Sequence, residues 1–504
     1  MAINTTNIPN QNIPVRTDTS AGTTKLTNGQ LWEIKVTLNN HSGKEMVLPT
    51  DAILHLMIED TSIDWVFRGI LVYKNIFEGL ERASATGQSA LYIYRMDARD
   101  EINISIRPIT DAGNFPERIW TASFDFVVYD TEDPKSTNNI DKVKKLYFWS
   151  KNYQLLKDKY IQWSTSTAQS IQDAYLKPDA NKTMKTGLII KSLIEAAGLK
   201  DFIDNGNWDE GSNSIQFTAP VNASVSDCID MVYKKHVSNT GEKCLLNTDR
   251  HLGKLRLVPF SNFFDKAGSK AGQPGDLQVE HFFIEDISGD GIITPFKAPI
   301  SRDVSFEKDI KMIEWNRITN YQFVDMAGID NAYALVNRPV YWYKPNKKQF
   351  GVNFKDNEIN NIKSEFKKLY VDKLYAANGF PLFTLNKDKT EHYNVQADYI
   401  YVNNGAFANK KSRNLLGKAK TLFAGILLNE CIRFQVLGST HRLAGTFIGI
   451  DRMSDSDNEF DNKLCGQWFV VNVKHVIVHN KYVNDILAVK VHAHEKLDIN
   501  ENKI

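Results

Sequence analysis

The feature that most limits the fold of this chain is a strict period-two alternation of apolar and polar residues. Trp32, Ile34, Val36 and Leu38 alternate with Glu33, Lys35 and Thr37, which is a strand with one buried and one wet face. Ile102, Ile104 and Ile106 repeat the pattern. So do Trp120, Ala122, Phe124, Phe126 and Val128, set against Thr121, Ser123 and Asp125. Apolar runs at 53–58, 65–73 and 91–96 bring the expectation to at least six strands before the block closes at Asp133-Pro134. Half-buried strands at this spacing need one another's faces, so the block predicts a small barrel or sandwich.

One such block accounts for a fifth of the 504 residues; at roughly 100–200 residues per domain the chain predicts about three. Residues 1–27, rich in Thr, Asn and Pro and without an aromatic, read as a flexible arm. From about 135 the character changes. Met184, Leu188, Leu193, Ile194 and Ala197 recur at helical spacing and stop at Gly198. A second helix is predicted at 224–236, where Val225, Cys228, Ile229 and Val232 share a face. The stretch 244–260 then reads as strand, turn and strand, and 265–276 as a Gly-rich loop. A third section opens with a strand at 312–324. An amphipathic helix (Ile362, Phe366, Leu369, Tyr370, Leu374) and a helical stretch near 413–428 mark an insertion. Strands follow at 432–436, 446–451, 467–479 and 486–494, the last two as a long hairpin. The fold class expected is α+β and β-dominated: a first β-barrel at 28–134, a mixed α/β middle domain at 135–311, a second barrel split between 312–344 and 430–497, and a helical insertion at 345–429.

With 61 Lys+Arg against 60 Asp+Glu, the chain has no global charge that would draw it to nucleic acid or a membrane surface. No apolar run approaches the roughly 20 residues that span a bilayer. The N-terminal MAINTTNIPNQNIPV lacks a basic segment before an apolar core, so a protein made in a cytoplasm and used without membrane passage is expected.

The chemical motifs sought are missing: no P-loop, no GxGxxG between strand and helix, no GxSxG elbow and no HExxH. His475 and His479, and His492 with His494, share faces of the predicted hairpin, a spacing that suits paired imidazole ligands. No cysteine or acidic partner sits at ligand spacing, so they read as polar-face strand residues. Asp451, Asp455, Asp457, Glu459 and Asp461 match a calcium loop by oxygen count, but Phe460 and Gly466 stand where its Gly and Glu belong. Tyr341-Trp342-Tyr343-Lys344 lacks a neighbouring basic run and reads as an interface anchor. Cys228, Cys244, Cys431 and Cys465 form no CxxC pair and read as core residues. No catalytic, cofactor-binding or metal residue is assigned, and no cofactor is expected.

The helix and hairpin ending in TDRHLGKLRLVPF (248–260), Trp315-Asn316-Arg317-Ile318, IRFQVLGSTHRLAGTFIGID (432–451) and GQWFVVNVKHVIVHNKY (466–482) occur in an order that resembles the central baseplate hub family of bacteriophage tails, shared with type VI secretion spike proteins. The family's Pro-Gly-Asp turn stands here as Ala444-Gly445-Thr446, and neither the arm at 1–27 nor the insertion has a counterpart. The resemblance implies a non-enzymatic homotrimer with two tube-like barrels per chain. Its six barrels would match a six-fold tail tube above to a three-fold spike below, among other baseplate proteins. DNA would pass through its channel without specific binding. The place implied is the virion's tail baseplate, after synthesis in the host's cytoplasm. Two other readings compete: a cell-wall or polysaccharide-degrading enzyme, which needs facing carboxylates, and a receptor-binding tail protein, for which only the aromatic run at 341–343 speaks.

Overall fold

The computed structural model describes residues 32–74, 96–108, 121–132, 143–165, 183–263, 280–284, 316–324, 431–452 and 466–490, apart from 42, 44, 50, 51, 250–252, 319, 479 and 480. It also describes short strands at 4–6, 24–25, 340–344, 349–352, 380–381, 398–401 and 492–493. The predicted segments at 91–95, 265–276, 312–315, 362–374 and 413–428 lie outside the described residues, as does Cys465.

The alternating segments become the strands β1 (Trp32–Asn39), β5 (Glu101–Pro108) and β6 (Thr121–Glu132), the apolar runs at 53–58 and 65–73 become β3 (Ile53–Thr61) and β4 (Arg68–Lys74), and β2 (Glu45–Val47) is a short strand that the sequence does not signal. A seventh, β7 (Val143–Ser150), was not singled out by alternation and lies between β4 and β6. In the order β3-β4-β7-β6-β5-β1 they pair antiparallel, with β2 on the edge of β1. Asn4–Thr6 and Thr24–Lys25, from the segment read as a flexible arm, pair with β6 and β1.

One face of these strands shares a single apolar core. Trp32, Ile34, Val36 and Leu38 meet Leu56, Ile58, Leu71, Ile104, Phe124, Phe126, Leu146 and Phe148 there. A flat sheet would hold its first and last strands far apart, so a common core requires the sheet to curl. At Gly69 the curl brings backbones close: a Cβ there would lie 2.3 Å from the Met57 carbonyl and 2.5 Å from the Phe148 ring that covers it.

The C-terminal strands β13 (Cys431–Leu437), β14 (Phe447–Arg452), β15 (Gly466–Val478) and β16 (Lys481–Val489) join the same 15-stranded sheet. β12 (Asn320–Val324) pairs with β13 at one end of the strand path, and β11 (Glu280–Ile284) runs parallel to β14. Their inward residues, among them Phe282, Phe434, Ile450, Trp468 and Ile486, make a second core.

Between the two lies a smaller α/β unit. Helices α1 (Lys151–Asp158), α2 (Thr186–Ala196) and α3 (Val225–Tyr233) pack around a three-stranded sheet of β8 (Ile203–Trp208), β10 (Lys254–Pro259) and β9 (Cys244–Asp249), in that order. α2 ends where Gly198 takes φ +82°, as its sequence predicts. α3 starts in a capping box, the Ser224 hydroxyl accepting from the Asp227 N–H at 3.2 Å and the Asp227 carboxylate from the Ser224 N–H at 3.2 Å. The β3–β4 connection drives Trp65 into this unit's core. Its indole N–H donates to Asp230 at 3.0 Å, and its carbonyl accepts from the Thr248 hydroxyl at 3.2 Å. The architecture is α+β and β-dominated.

Gly69→Ala drives a methyl into the Met57 carbonyl and the Phe148 ring and is expected to cost about 1–3 kcal/mol. Gly43→Ala, at φ +74° with nothing within 4 Å of its Cβ, is expected to cost about 1 kcal/mol through backbone strain alone. Thermal unfolding of the pair checks the ranking, with the Gly69 variant melting lower.

Candidate assembly seam

β15 is the one described strand that belongs to both halves of the sheet. Along one edge it pairs with β16 almost throughout. Along the other, Gly466–Phe469 pair with β14 of the second core, and Asn472–Val478 pair with β3 of the first. The hand-over falls at Val471, where the β15–β16 register shifts between Val470 and Asn472. A bulge inserts one residue and so flips the parity of everything after it. Trp468 and Val470 face the second core before the bulge; Val473 faces it after; Ile477 reaches the first core. The Val471 carbonyl, freed by the bulge, accepts from the Ser62 N–H at 2.9 Å and the Ser62 hydroxyl at 3.1 Å. On the opposite face Phe469 meets Phe260 at 4.9 Å between ring centroids, which ties β15 to the α/β unit as well.

Between Val473 and Ile477, His475 sits at the border of the two cores, 1% exposed. Its Nδ1 lies 2.7 Å from the Tyr482 hydroxyl and 3.0 Å from the Asn484 amide nitrogen. The Asn484 oxygen accepts from the Ser439 N–H at 2.7 Å and from Arg442 at 3.0 Å, which fixes the amide with its NH₂ towards the imidazole. Nδ1 is therefore the accepting nitrogen. Arg442, 4% exposed, also donates to the Leu437 carbonyl and, at 2.9 Å, to Asn316, and its guanidinium lies 5.1 Å from the centre of the Phe282 ring. Tyr482 in turn meets Trp32 edge to face at 5.4 Å. The far strand of the first half is thereby brought against the β15–β16 turn, and a Cβ on Gly438 would strike the Tyr482 ring at 2.3 Å.

The Ala444-Gly445-Thr446 turn closes beside this network. Gly445 has φ +81° and its N–H donates to the Val470 carbonyl at 2.8 Å, while the Ala444 N–H donates to the buried Asp60 carboxylate at 2.9 Å. Asp60 is the next-to-last residue of β3, so the turn of one half is held by an acid of the other.

On the outer side of the seam Glu59 gathers Arg68 at 2.9 Å, Asn472 at 2.9 Å and Lys474 at 3.6 Å. Burial by itself pushes the Glu59 carboxyl up, but hydrogen bonds from Arg68 and Asn472 and the two cationic charges outweigh it and hold it below the usual carboxylate range.

Asn316, Ser439, Arg442, His475 and Tyr482, taken from three separate stretches singled out in the sequence, thus meet in one buried cluster. His475 has hydrogen-bonding partners there and reads as structural. His479, His494 and the acidic residues at 455, 457, 459 and 461 lie outside the described residues. Tyr341, Trp342 and Tyr343 lie on a strand paired with Gln349–Val352 and Asp398–Tyr401. Cys228, Cys244 and Cys431 are buried and form no disulfide. Cys244 lies 3.2 Å from His236, a pairing no spacing in the sequence signals.

Asn484→Leu keeps the volume but strips Ser439, Arg442 and His475 of a partner, and is expected to cost about 3 kcal/mol in thermal unfolding. Because the folded Glu59 is depressed, its contribution is complete above the unfolded glutamate value and is lost as pH falls through the folded one. Glu59→Gln is expected to melt below the wild type at neutral pH, the gap closing as pH falls below the unfolded glutamate value of about 4.3 and through the lower folded one; melting curves from neutral pH into the acid range check it.

No family model matches the sequence, and no curated protein does. Among solved structures, the chain is similar to a tail protein from Neisseria meningitidis MC58, with 10% identity, 91% of this chain and 96% of that one covered, and a TM-score of 0.45. It is similar to the 43 kDa tail protein of prophage MuSo2 from Shewanella oneidensis, with 9% identity, 90% and 97% covered, and a TM-score of 0.44. A third likeness is to an E. coli component of the type VI secretion system, with 7% identity, 87% and 73% covered, and a TM-score of 0.35.

Proposed function

We propose that the chain is a structural hub of a phage tail baseplate, a homotrimer that joins a six-fold tail tube to a three-fold spike. The observation that carries this reading is the two-sided pairing of β15. It fuses two curled half-sheets, each with its own core, into one chain, so that three chains would present six such units. In this reading the units are the two tube-like barrels at 28–134 and at 312–344 with 430–497, the first also taking in β7 and the second β11 from the 135–311 domain. The rest of that domain flanks them, and 1–27 and 345–429 are additions. The motif residues that converge on the seam support the same reading, because they hold the two units at a fixed angle.

Among the described residues the strand path ends in β12, where Tyr321 and Phe323 are 39% and 43% exposed. A sheet end of this kind is a template for a further strand. Head-to-tail addition of identical copies closes a ring when the rotation per copy allows it, and closure removes the open ends. Tube and spike proteins are the neighbours this role requires, with DNA passing through unbound, in the virion after synthesis in the host's cytoplasm. No catalysis is assigned to the chain.

Light scattering after size exclusion tests the reading. A mass three times 57.3 kDa is expected at all concentrations, with about 2,000 Å² or more buried per contact making the trimer obligate. Tyr321→Glu with Phe323→Glu is expected to shift that mass towards one chain while leaving circular dichroism unchanged. A wild type of one chain mass at every concentration overturns the trimer.

A further inference from the structure

We propose that Asp209, His236 and Cys244 form a zinc-binding site inside the α/β unit, remote in role from the seam. The three residues come from separate elements. Asp209 follows β8, His236 ends the turn after α3, and Cys244 opens β9. His236 and Cys244 are fully buried, and the Asp209 side chain is 9% exposed. His236 Nε2 lies 3.2 Å from Cys244 Sγ and 3.6 Å from Asp209 Oδ1, and all three donor atoms lie within 4.8 Å of one another. Zinc bonds of about 2.0–2.3 Å at tetrahedral angles place ligand atoms about 3.3–3.6 Å apart, so both histidine distances are close to those of a site.

The hydrogen bonds behind the imidazole point its lone pair at the other two groups. Asn213 is oriented by its amide nitrogen, which donates to the Lys235 carbonyl at 2.6 Å, leaving its oxygen to accept from the Thr186 hydroxyl at 3.0 Å. With its proton so used, Thr186 Oγ1 accepts from His236 Nδ1 at 2.8 Å. Nε2 then carries no proton and faces the Cys244 thiol and Asp209 Oδ1, which also accepts from the Gly211 N–H at 2.7 Å; a cation at their centre would meet a lone pair from each of the three. An outer-shell hydroxyl fixing the tautomer of a ligand histidine is the arrangement such sites use. Gly211 gives the ring its room: at φ +90°, a Cβ there would lie 2.8 Å from Thr186 Oγ1 and 3.0 Å from the imidazole.

Burial pushes the imidazole towards the neutral form that binds a metal in spite of Asp209, whereas burial, then Asp209 and Glu242, push the Cys244 thiol up, so a metal has to displace its proton. The nearby Lys243 ammonium is held by the Tyr233 carbonyl at 2.9 Å and lies 4.1 Å over the Tyr233 ring. Imidazole with thiolate selects zinc over calcium or magnesium. On binding, the Cys244 S–H bond breaks as the Zn–S bond forms and the proton leaves to solvent. Water fills the fourth position on the Asp209 side, where the neighbouring Asn239 is exposed.

Elemental analysis of the untagged full chain, purified without chelator and given ZnCl₂ before gel filtration, tests the site. About one zinc per chain is expected, falling below about a tenth in Asp209→Asn and Cys244→Ser. The Asp209 change is nearly isosteric and leaves the thiol–imidazole contact intact, so circular dichroism should be unaltered in it. CoCl₂ in place of zinc should give a thiolate-to-cobalt charge-transfer band that Cys244→Ser abolishes. A wild type that takes up no zinc and shows no cobalt band overturns the proposal, as does zinc retained equally in both variants.

Discussion

The architecture depends on one strand having two different neighbours along the same edge. A strand offers each edge once, and β15, at 13 residues, is long enough to divide its own between β14 and β3. The division needs a break in register, because a straight ladder could not keep its apolar side chains aimed at two cores that are displaced from each other. The extra residue at Val471 supplies the break. Its carbonyl then bonds to Ser62 across the joint, so the irregularity is itself satisfied rather than left as an exposed backbone defect.

Polar residues at the joint add directionality to this pairing. Apolar contact alone would tolerate a range of angles between two curled sheets, since it scales with area and has no preferred direction. A buried chain from Tyr482 through His475 and Asn484 to Arg442 and Asn316 tolerates far less, because every member loses a partner if one moves. Asp60 holding the turn at Ala444, and Trp65 lodged in the α/β core, extend the same restraint to the loops at one end of β3. In the proposed trimer, an angle fixed this firmly would let three copies repeat around one axis.

Much of the fold was legible because burial on one face writes itself into alternate residues. β1, β5 and β6 could be read that way, β3 and β4 as apolar runs, and α2 and α3 from helical spacing, α2 with its stop at Gly198. β7 was not, since its outward positions Tyr147 and Trp149 are aromatic as well and blur the alternation; Trp149 stacks on Tyr129 at 4.1 Å. The double pairing of β15 left no trace either, because alternation reports the faces of a strand and is silent about its edges. Asn316, Arg442 and His475 stood inside recognisable stretches, but their convergence depends on which strands become neighbours. The Asp209, His236 and Cys244 group had no signal at all: its members are joined by the packing of α3 against β8 and β9, at intervals no motif prescribes.

The hydrogen bonds across the joint span about four-fifths of the chain, with Ser62 and Val471 separated by 409 positions. A ribosome adding 5–20 residues each second takes roughly 20–80 s to cover that interval. Throughout it, the edge of β3 that will receive β15 has already been made and has no partner from its own chain. The growing polypeptide therefore passes through a long stage with an exposed, apolar-flanked strand edge. The first half-sheet must survive in that state, on its own or shielded by a chaperone, until residues 472–478 arrive to cover it.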